Sequence, residues 1–139
     1  MIGGIEVNYY AIIISAIISF VLGALWFSLL FGKSWTKLMG YSAKDIENAK
    51  KKGMTKSYLI GLIGQLILSY VLANFIIYAD AKTIIEGIQI GAFIWLGFVA
   101  TISLGMILWD NKPIKLYIIN TSYWLVSLII QGIILSVWQ

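Results

Sequence analysis

The chain has 139 residues, of which 60% are hydrophobic and only 12% are charged. Soluble domains carry about 25% charged residues, so this composition excludes a soluble globular fold. The sequence contains no cysteine and no histidine, which excludes disulfide bonds, thiol nucleophiles, imidazole bases and the usual zinc or haem ligands.

All ten lysines and all six acidic residues lie outside four uncharged stretches. Each stretch is long enough to cross a hydrocarbon core of ~30 Å as a helix that rises ~1.5 Å per residue. The sequence therefore predicts an all-α polytopic membrane protein, a single four-helix bundle that occupies the whole of 1–139. The predicted spans are about 7–32, 57–79, 87–109 and 116–138.

The connection between the first two spans, residues 33–56, holds seven of the ten lysines. Its first part, Lys33 to Tyr41, mixes apolar and polar residues and is predicted to lie as a turn at the headgroup level. Ser42 followed by Asp45 has the spacing of a helix N-cap with an acid three residues later. This spacing predicts a short cytoplasmic helix over Ala43–Lys52.

Lysine is distributed unevenly between the two sides of the predicted bundle. The first and third connections hold nine lysines, whereas the amino-terminal tail and the second connection hold only Lys82. Lysine near the ends of spans stays on the cytoplasmic side, so both chain termini are predicted to face away from the cytoplasm, in the cytoplasmic membrane of a bacterium or archaeon. The basic connections are expected to meet membrane lipids, and no nucleic-acid partner is predicted.

Every predicted span carries small or polar residues at spacings of three and four, which places them on one face of a helix. A polar side chain that faces lipid contributes no stability, so the four faces are expected to meet in the bundle interior. They form either a packing seam or a ladder of neutral donors and acceptors that lines a narrow pore or cleft. The stripes are Ser15, Ser19 and Gly23; Gly61, Gln65, Ser69 and Ala73; Gly97, Thr101 and Gly105; and Asn120, Trp124, Ser127 and Gln131.

None of the four spans contains a carboxylate or an amine side chain. Ion-coupled pumps usually hold such a group in the membrane, and general acid–base catalysis needs a titratable group beside its substrate. A proton-coupled antiporter and an enzyme are therefore both disfavoured. The sequence predicts no catalytic residue, no metal site and no cofactor.

A distinctive pattern marks the end of the first span: Gly23-Ala24-Leu25-Trp26-Phe27-Ser28, followed by Leu30-Phe31-Gly32-Lys33 and Trp35. This pattern resembles the signature of a bacterial membrane family known as domain of unknown function 1761. Residues 95–101, 115–120 and 123–128 are similar to the third and fourth spans of that family, so the resemblance covers nearly the whole chain. It implies a four-span bundle with no assigned activity.

The sequence departs from the pattern of that family at two places. The family usually has Tyr-Ser-Pro where this chain has Phe27-Ser28-Leu29, so the proline kink that the family pattern implies is not expected here. The fourth span of the family often carries a histidine where this chain has Trp124, so titratable chemistry at that position is not expected either.

The sequence as a whole favours a small membrane protein that binds or moves a neutral or apolar small solute through the bundle or an oligomer. A homo-oligomer, a dimer or larger, is expected because four spans with glycine-rich seams enclose little volume. The alternative is a non-transporting scaffold, lipid-binding protein or accessory subunit, whose polar faces would be closed by direct contacts. The candidate solute-contacting or pore-lining residues are Trp26, Ser28, Gln65, Ser69, Trp95, Thr101, Asn120, Trp124 and Gln131, and the candidate interface anchors are Lys33 and Trp35.

Overall fold

The structure is a computed structural model that describes residues 4–139, and this part of the chain forms six helices and no strand. In chain order the helices are α1 (Tyr9–Leu30), α2 (Gly32–Met39), α3 (Ala43–Lys52), α4 (Thr55–Tyr78), α5 (Ile84–Leu108) and α6 (Ile114–Val137). Helices α1, α4, α5 and α6 are long and apolar enough to cross a membrane. The predicted all-α fold with four such helices is confirmed, and their bounds differ from the predicted ones by three residues or fewer.

The two short helices follow from local hydrogen bonds in the lysine-rich connection. Ser42 Oγ accepts a bond from the Asp45 N–H at 3.1 Å, and the Ser42 N–H donates to Asp45 Oδ2 at 2.8 Å, so α3 begins with the predicted capping box. These bonds hold the pKa of the exposed Asp45 carboxyl below its usual range. Where the sequence predicts a turn, Gly32–Met39 instead forms two turns of helix, which end at Gly40 in the left-handed conformation.

Helix α6 is the centre of the bundle. It packs against α1, α4 and α5, and α1 also packs against α4. Helix α5 rests almost entirely on α6 and leaves most of its surface uncovered. The main apolar cluster lies toward the end of the bundle opposite the lysine-rich connection and contains Ala11, Ile12, Leu72, Ala73, Ile76, Ala81, Leu128 and Leu135.

The contact between α5 and α6 is a glycine seam, made by Gly87 and Gly91 of α5 and Gly132 of α6. A Cβ atom at Gly91 would lie 2.5 Å from the Leu128 carbonyl oxygen, and a Cβ atom at Gly87 would overlap the Gly132 carbonyl. The two backbones approach this closely because none of the three glycines carries a side chain.

The face of α5 that was predicted to point inward lies on the outside. Gly97 and Thr101 are exposed, and a Cβ atom at Gly97 would have no neighbour within 4 Å. The Thr101 hydroxyl donates to the Gly97 carbonyl of its own helix at 2.6 Å. The predicted inward orientation of this stripe is wrong, because the pair Gly87 and Gly91 permits a closer backbone contact and takes the place against α6.

Two of the long helices become irregular at a tryptophan. Helix α1 widens into a π-helical turn over Trp26–Leu30, and α5 does so over Trp95–Ala100 before a 3₁₀ turn at Ile102–Leu104. Such π turns are rare and often occur at functional sites. The irregularity in α1 includes Phe27-Ser28-Leu29, so the helix is distorted there without a proline.

Candidate functional site

Six polar side chains from α1, α4 and α6 meet inside the bundle and form a polar core. Five of them belong to the predicted inward stripes of these helices, and the sixth, Tyr123, lies four residues before Ser127 on the same face of α6. Four of them, from all three helices, are at most 1% exposed. The members of the polar core are Ser19, Gln65, Ser69, Tyr123, Ser127 and Gln131.

Gln131 of α6 connects the three helices of the polar core. Its amide nitrogen donates to Ser19 Oγ at 2.8 Å and to Ser127 Oγ at 3.2 Å, with Gln65 Oε1 at 3.4 Å. Its amide oxygen accepts a bond from the Ser69 hydroxyl. The Gln131 side chain is completely buried and uses both ends of its amide within the protein.

Tyr123 seals the polar core on the side nearer the lysine-rich connection. Its hydroxyl donates to the Ser19 carbonyl at 2.8 Å and accepts a bond from Gln65 Nε2 at 3.0 Å. Tyr123 was not among the candidate site residues, although its spacing of four and eight residues from Ser127 and Gln131 places it on their face. The mutual pairing of these groups favours the packing interpretation of the polar stripes over an open path through the bundle.

The indole N–H groups of two candidate tryptophans bind the backbone of α6. Trp26 Nε1 donates to the Ile119 carbonyl at 3.0 Å, and Trp95 Nε1 donates to the Thr121 carbonyl at 2.7 Å. Both tryptophans are half-buried and each begins one of the π turns. Their polar atoms therefore hold α1 and α5 against α6.

Two further candidates do not join the polar core. The Ser28 hydroxyl is exposed and donates to the Ala24 carbonyl of its own helix. Asn120 lies nearer the lysine-rich connection, where its amide oxygen is buried without a hydrogen-bond partner among the described residues. Asn120 lines a small cavity of about 310 Å³ together with Phe27, Trp35, Ser103, Met106 and Trp124.

A larger cavity of about 650 Å³, which we call the aromatic groove, runs along α1 and α4 beside the polar core. Tyr58 and Gly64 on its rim are exposed, so the groove is open toward the surroundings of the bundle. A Cβ atom at Gly64 would have no neighbour within 4 Å. The groove is lined by Phe20, Gly23, Ala24, Phe27, Ser28, Trp35, Met54, Tyr58, Gly61, Gly64, Gln65, Tyr123 and Trp124.

The two candidate interface anchors lie on α2, at the lysine-rich end of the groove. Trp35 is half-buried and its ring meets those of Phe27 and Tyr41 edge-on, with centroids 5.8 and 5.7 Å apart. Lys33 is exposed. Within residues 4–139, no group of three or more acidic side chains is arranged to hold a metal ion.

The comparison with known families matches residues 10–136, nearly the whole chain, to the model described as "Protein of unknown function (DUF1761)". The chain belongs to the DUF1761 family. No curated protein and no solved structure matches it.

The segment through which this chain resembles DUF1761, residues 23–35, borders the aromatic groove. It contributes Gly23, Ala24, Phe27, Ser28 and Trp35 to the lining. Gly23 also has a packing role, because a Cβ atom there would lie 3.0 Å from the Tyr123 hydroxyl oxygen. In this DUF1761 protein the signature segment therefore borders both the groove and the polar core.

Proposed function

We propose that this protein binds the apolar part of a small membrane-soluble molecule in the aromatic groove and acts without catalysis. The observation that carries the proposal is the groove itself, an aromatic cavity of about 650 Å³ beside a polar core whose groups pair with one another. Ligand sites commonly measure roughly 300–1,000 Å³ and are lined mainly by apolar and aromatic side chains.

The shape of the groove suits an elongated apolar ligand. From Phe20 to Ser28 it follows α1 for about 12 Å, at a rise of ~1.5 Å per residue. On the α4 side, Gly61 and Gly64 have no side chains to close the groove, so a molecule can enter it laterally from the bilayer. None of the described residues that line it is acidic or basic, which favours a neutral or apolar group within the groove itself.

The sealed polar core supports binding in preference to conduction through a single protomer. Ser19 and Ser69 each bond to Gln131, and all three are at most 1% exposed, so these donors and acceptors are occupied within the protein. Transport of a bound solute would have to use the groove or an interface in a homo-oligomer. A lipid-binding scaffold or accessory subunit remains the second candidate, and the same closed contacts favour it.

Filling the groove tests the proposal. Gly64→Leu places a side chain in open space within the groove, and we expect at least a tenfold loss of binding of a neutral monoacylglycerol, measured by native mass spectrometry from detergent micelles. Gly97→Leu is the matched control, because Gly97 also has open space around its Cβ position but lies on the outside of α5. Equal binding by the two variants would contradict the groove as the binding site.

We propose separately, from the distribution of lysine, that the lysine-rich end of the bundle lies in the cytoplasm of a bacterium or archaeon. Because the chain has no cysteine, single cysteines introduced as Lys51→Cys and Lys82→Cys can be labelled cleanly. We expect a membrane-impermeant maleimide to label position 82 on intact cells and position 51 only after permeabilisation. The reverse pattern would overturn the orientation while leaving the groove in place.

A further inference from the structure

We propose that the ligand of the aromatic groove is an amphiphile whose phosphate head is held by Lys33 and Lys37. This inference rests on the proposed function, since it assigns the polar end of a molecule whose apolar part lies in the groove. It adds a charged subsite to a groove whose own lining carries no charge.

A third cavity, a shallow and open one that we call the lysine shelf, lies next to the aromatic groove. It measures about 570 Å³ and lies between the end of α1, α2 and the start of α3. Phe27 and Ser28 line both cavities, so the two are neighbours at the end of α1. Lys33, Thr36, Lys37 and Tyr41 supply the polar side of the shelf.

The charges on the shelf have no counterion of their own. Lys33 and Lys37 are exposed and lie four residues apart on α2, which puts two like charges side by side on one helix face. In the described part of the chain the salt bridges are Lys51 with Glu47 and Lys82 with Asp80, so neither shelf lysine meets a carboxylate. An anion between the two ammonium groups relieves their repulsion.

The charge of the shelf fits a phosphate monoester. Such a group carries about −1.5 to −2 charges at pH 7 and offers three acceptor oxygens, which matches two lysines. The Tyr41 hydroxyl on the same shelf offers a further donor. A single-chain phosphate lipid can therefore place its head on the shelf and its chain in the groove, across the boundary at Phe27 and Ser28.

The predicted orientation in the membrane explains why this connection is rich in lysine. It does not explain why two of these lysines lie beside the groove. Lys50 and Lys52 belong to the same connection and are exposed, yet they do not line the shelf. Removing either pair changes the net charge equally, so the pair Lys50 and Lys52 is the matched control.

The experiment compares lysophosphatidic acid with monoacylglycerol of the same acyl chain, bound to the full chain in neutral detergent and counted by native mass spectrometry. We expect the phosphate lipid to bind the unmodified protein about tenfold more tightly or better, because each lysine adds attraction to an anionic lipid. The double variant Lys33→Gln, Lys37→Gln should lose this preference but still bind monoacylglycerol, which also shows that it is folded. The double variant Lys50→Gln, Lys52→Gln should keep the preference.

The outcomes separate the two proposals. Equal binding of both lipids to the unmodified protein overturns the proposed phosphate site but not the groove as the binding site. If neither lipid binds, the proposed function itself is overturned. An equal loss of preference in the Lys50 and Lys52 variant assigns the effect to bulk charge and overturns the inference. If an equal concentration of inorganic phosphate displaces the phosphate lipid, the shelf is a site for free anions, and the proposal that the ligand is an amphiphile is overturned.

Discussion

Gly87→Leu should detach α5 from α6 and lower the free energy of unfolding by about 3 kcal/mol, the upper part of the range for overpacked interiors. The reason is that the Gly132 backbone occupies the space that any Cβ atom at position 87 would need. Backbone cannot rotate away as a flexible side chain can, so the whole helix has to move. Unfolding in mixed micelles by added dodecyl sulfate, followed by circular dichroism, measures the change.

The control for this variant lies on the same helix. Gly97→Leu introduces the same side chain where no atom lies within 4 Å of the Cβ position, and we expect a change within about 0.5 kcal/mol, as for surface substitutions generally. If the two variants unfold at the same detergent fraction, the glycine seam does not hold α5 in place.

Gln131→Leu should lower the free energy of unfolding by about 2 kcal/mol, because it removes one side chain that joins three helices. Hydrogen bonds between membrane helices contribute about 0.6 kcal/mol each on average, and Gln131 bonds to Ser19 of α1 and to Ser69 and Gln65 of α4. The substitution also leaves the buried Ser19 and Ser69 hydroxyls without this partner. The same detergent titration measures the loss.

Gln89→Leu provides the matched substitution for Gln131→Leu, since Gln89 is exposed on α5 and its replacement should change stability little. Ser69→Ala combined with Gln131→Leu should lower the free energy of unfolding by less than the sum of the two single changes. The reason is that Ser69→Ala leaves the Gln131 amide oxygen unpaired, and Gln131→Leu removes that oxygen. Strict additivity would contradict direct bonding between Ser69 and Gln131 as the source of the effect.

The sequence was sufficient to predict the helices and three of the four inward faces. Uncharged stretches of about 20 residues leave few alternatives to long helices, and Ser42 with Asp45 fixes the start of α3 through a local pattern. On α4 and α6, Gln65 and Gln131 identify the inward face because a buried amide needs partners that lipid cannot supply.

The orientation of α5 could not be decided in this way, because that span carries two stripes of small residues. Gly97 and Thr101 define one stripe, whereas Gly87 and Gly91 define another with the G-x-x-x-G spacing of close helix pairs. The choice depends on Gly132 of α6, a long-range partner that helical periodicity does not reveal. The G-x-x-x-G spacing was nevertheless visible in the sequence and would have favoured the correct face.

The candidate site was predicted in part, because residue type does not fix the role of an aromatic side chain. Trp26 and Trp95 have the size and depth of ligand-contacting rings, yet their N–H groups bind α6 carbonyls. Tyr123 was not chosen as a candidate, although its hydroxyl closes the polar core. The aromatic groove is open because Gly61 and Gly64 carry no side chains, and its shape depends on how α1 and α4 pack.

The central place of α6 has a consequence for biogenesis. The ribosome delivers α1, α4 and α5 to the bilayer before α6, so Ser19, Gln65 and Ser69 enter the membrane ahead of the glutamine that pairs with them. Helix α5 likewise enters the membrane before Gly132 of α6, against which it packs. An arrested nascent chain that lacks α6 therefore displays these amides and hydroxyls without their α6 partners, and the bundle is complete only once α6 has been inserted.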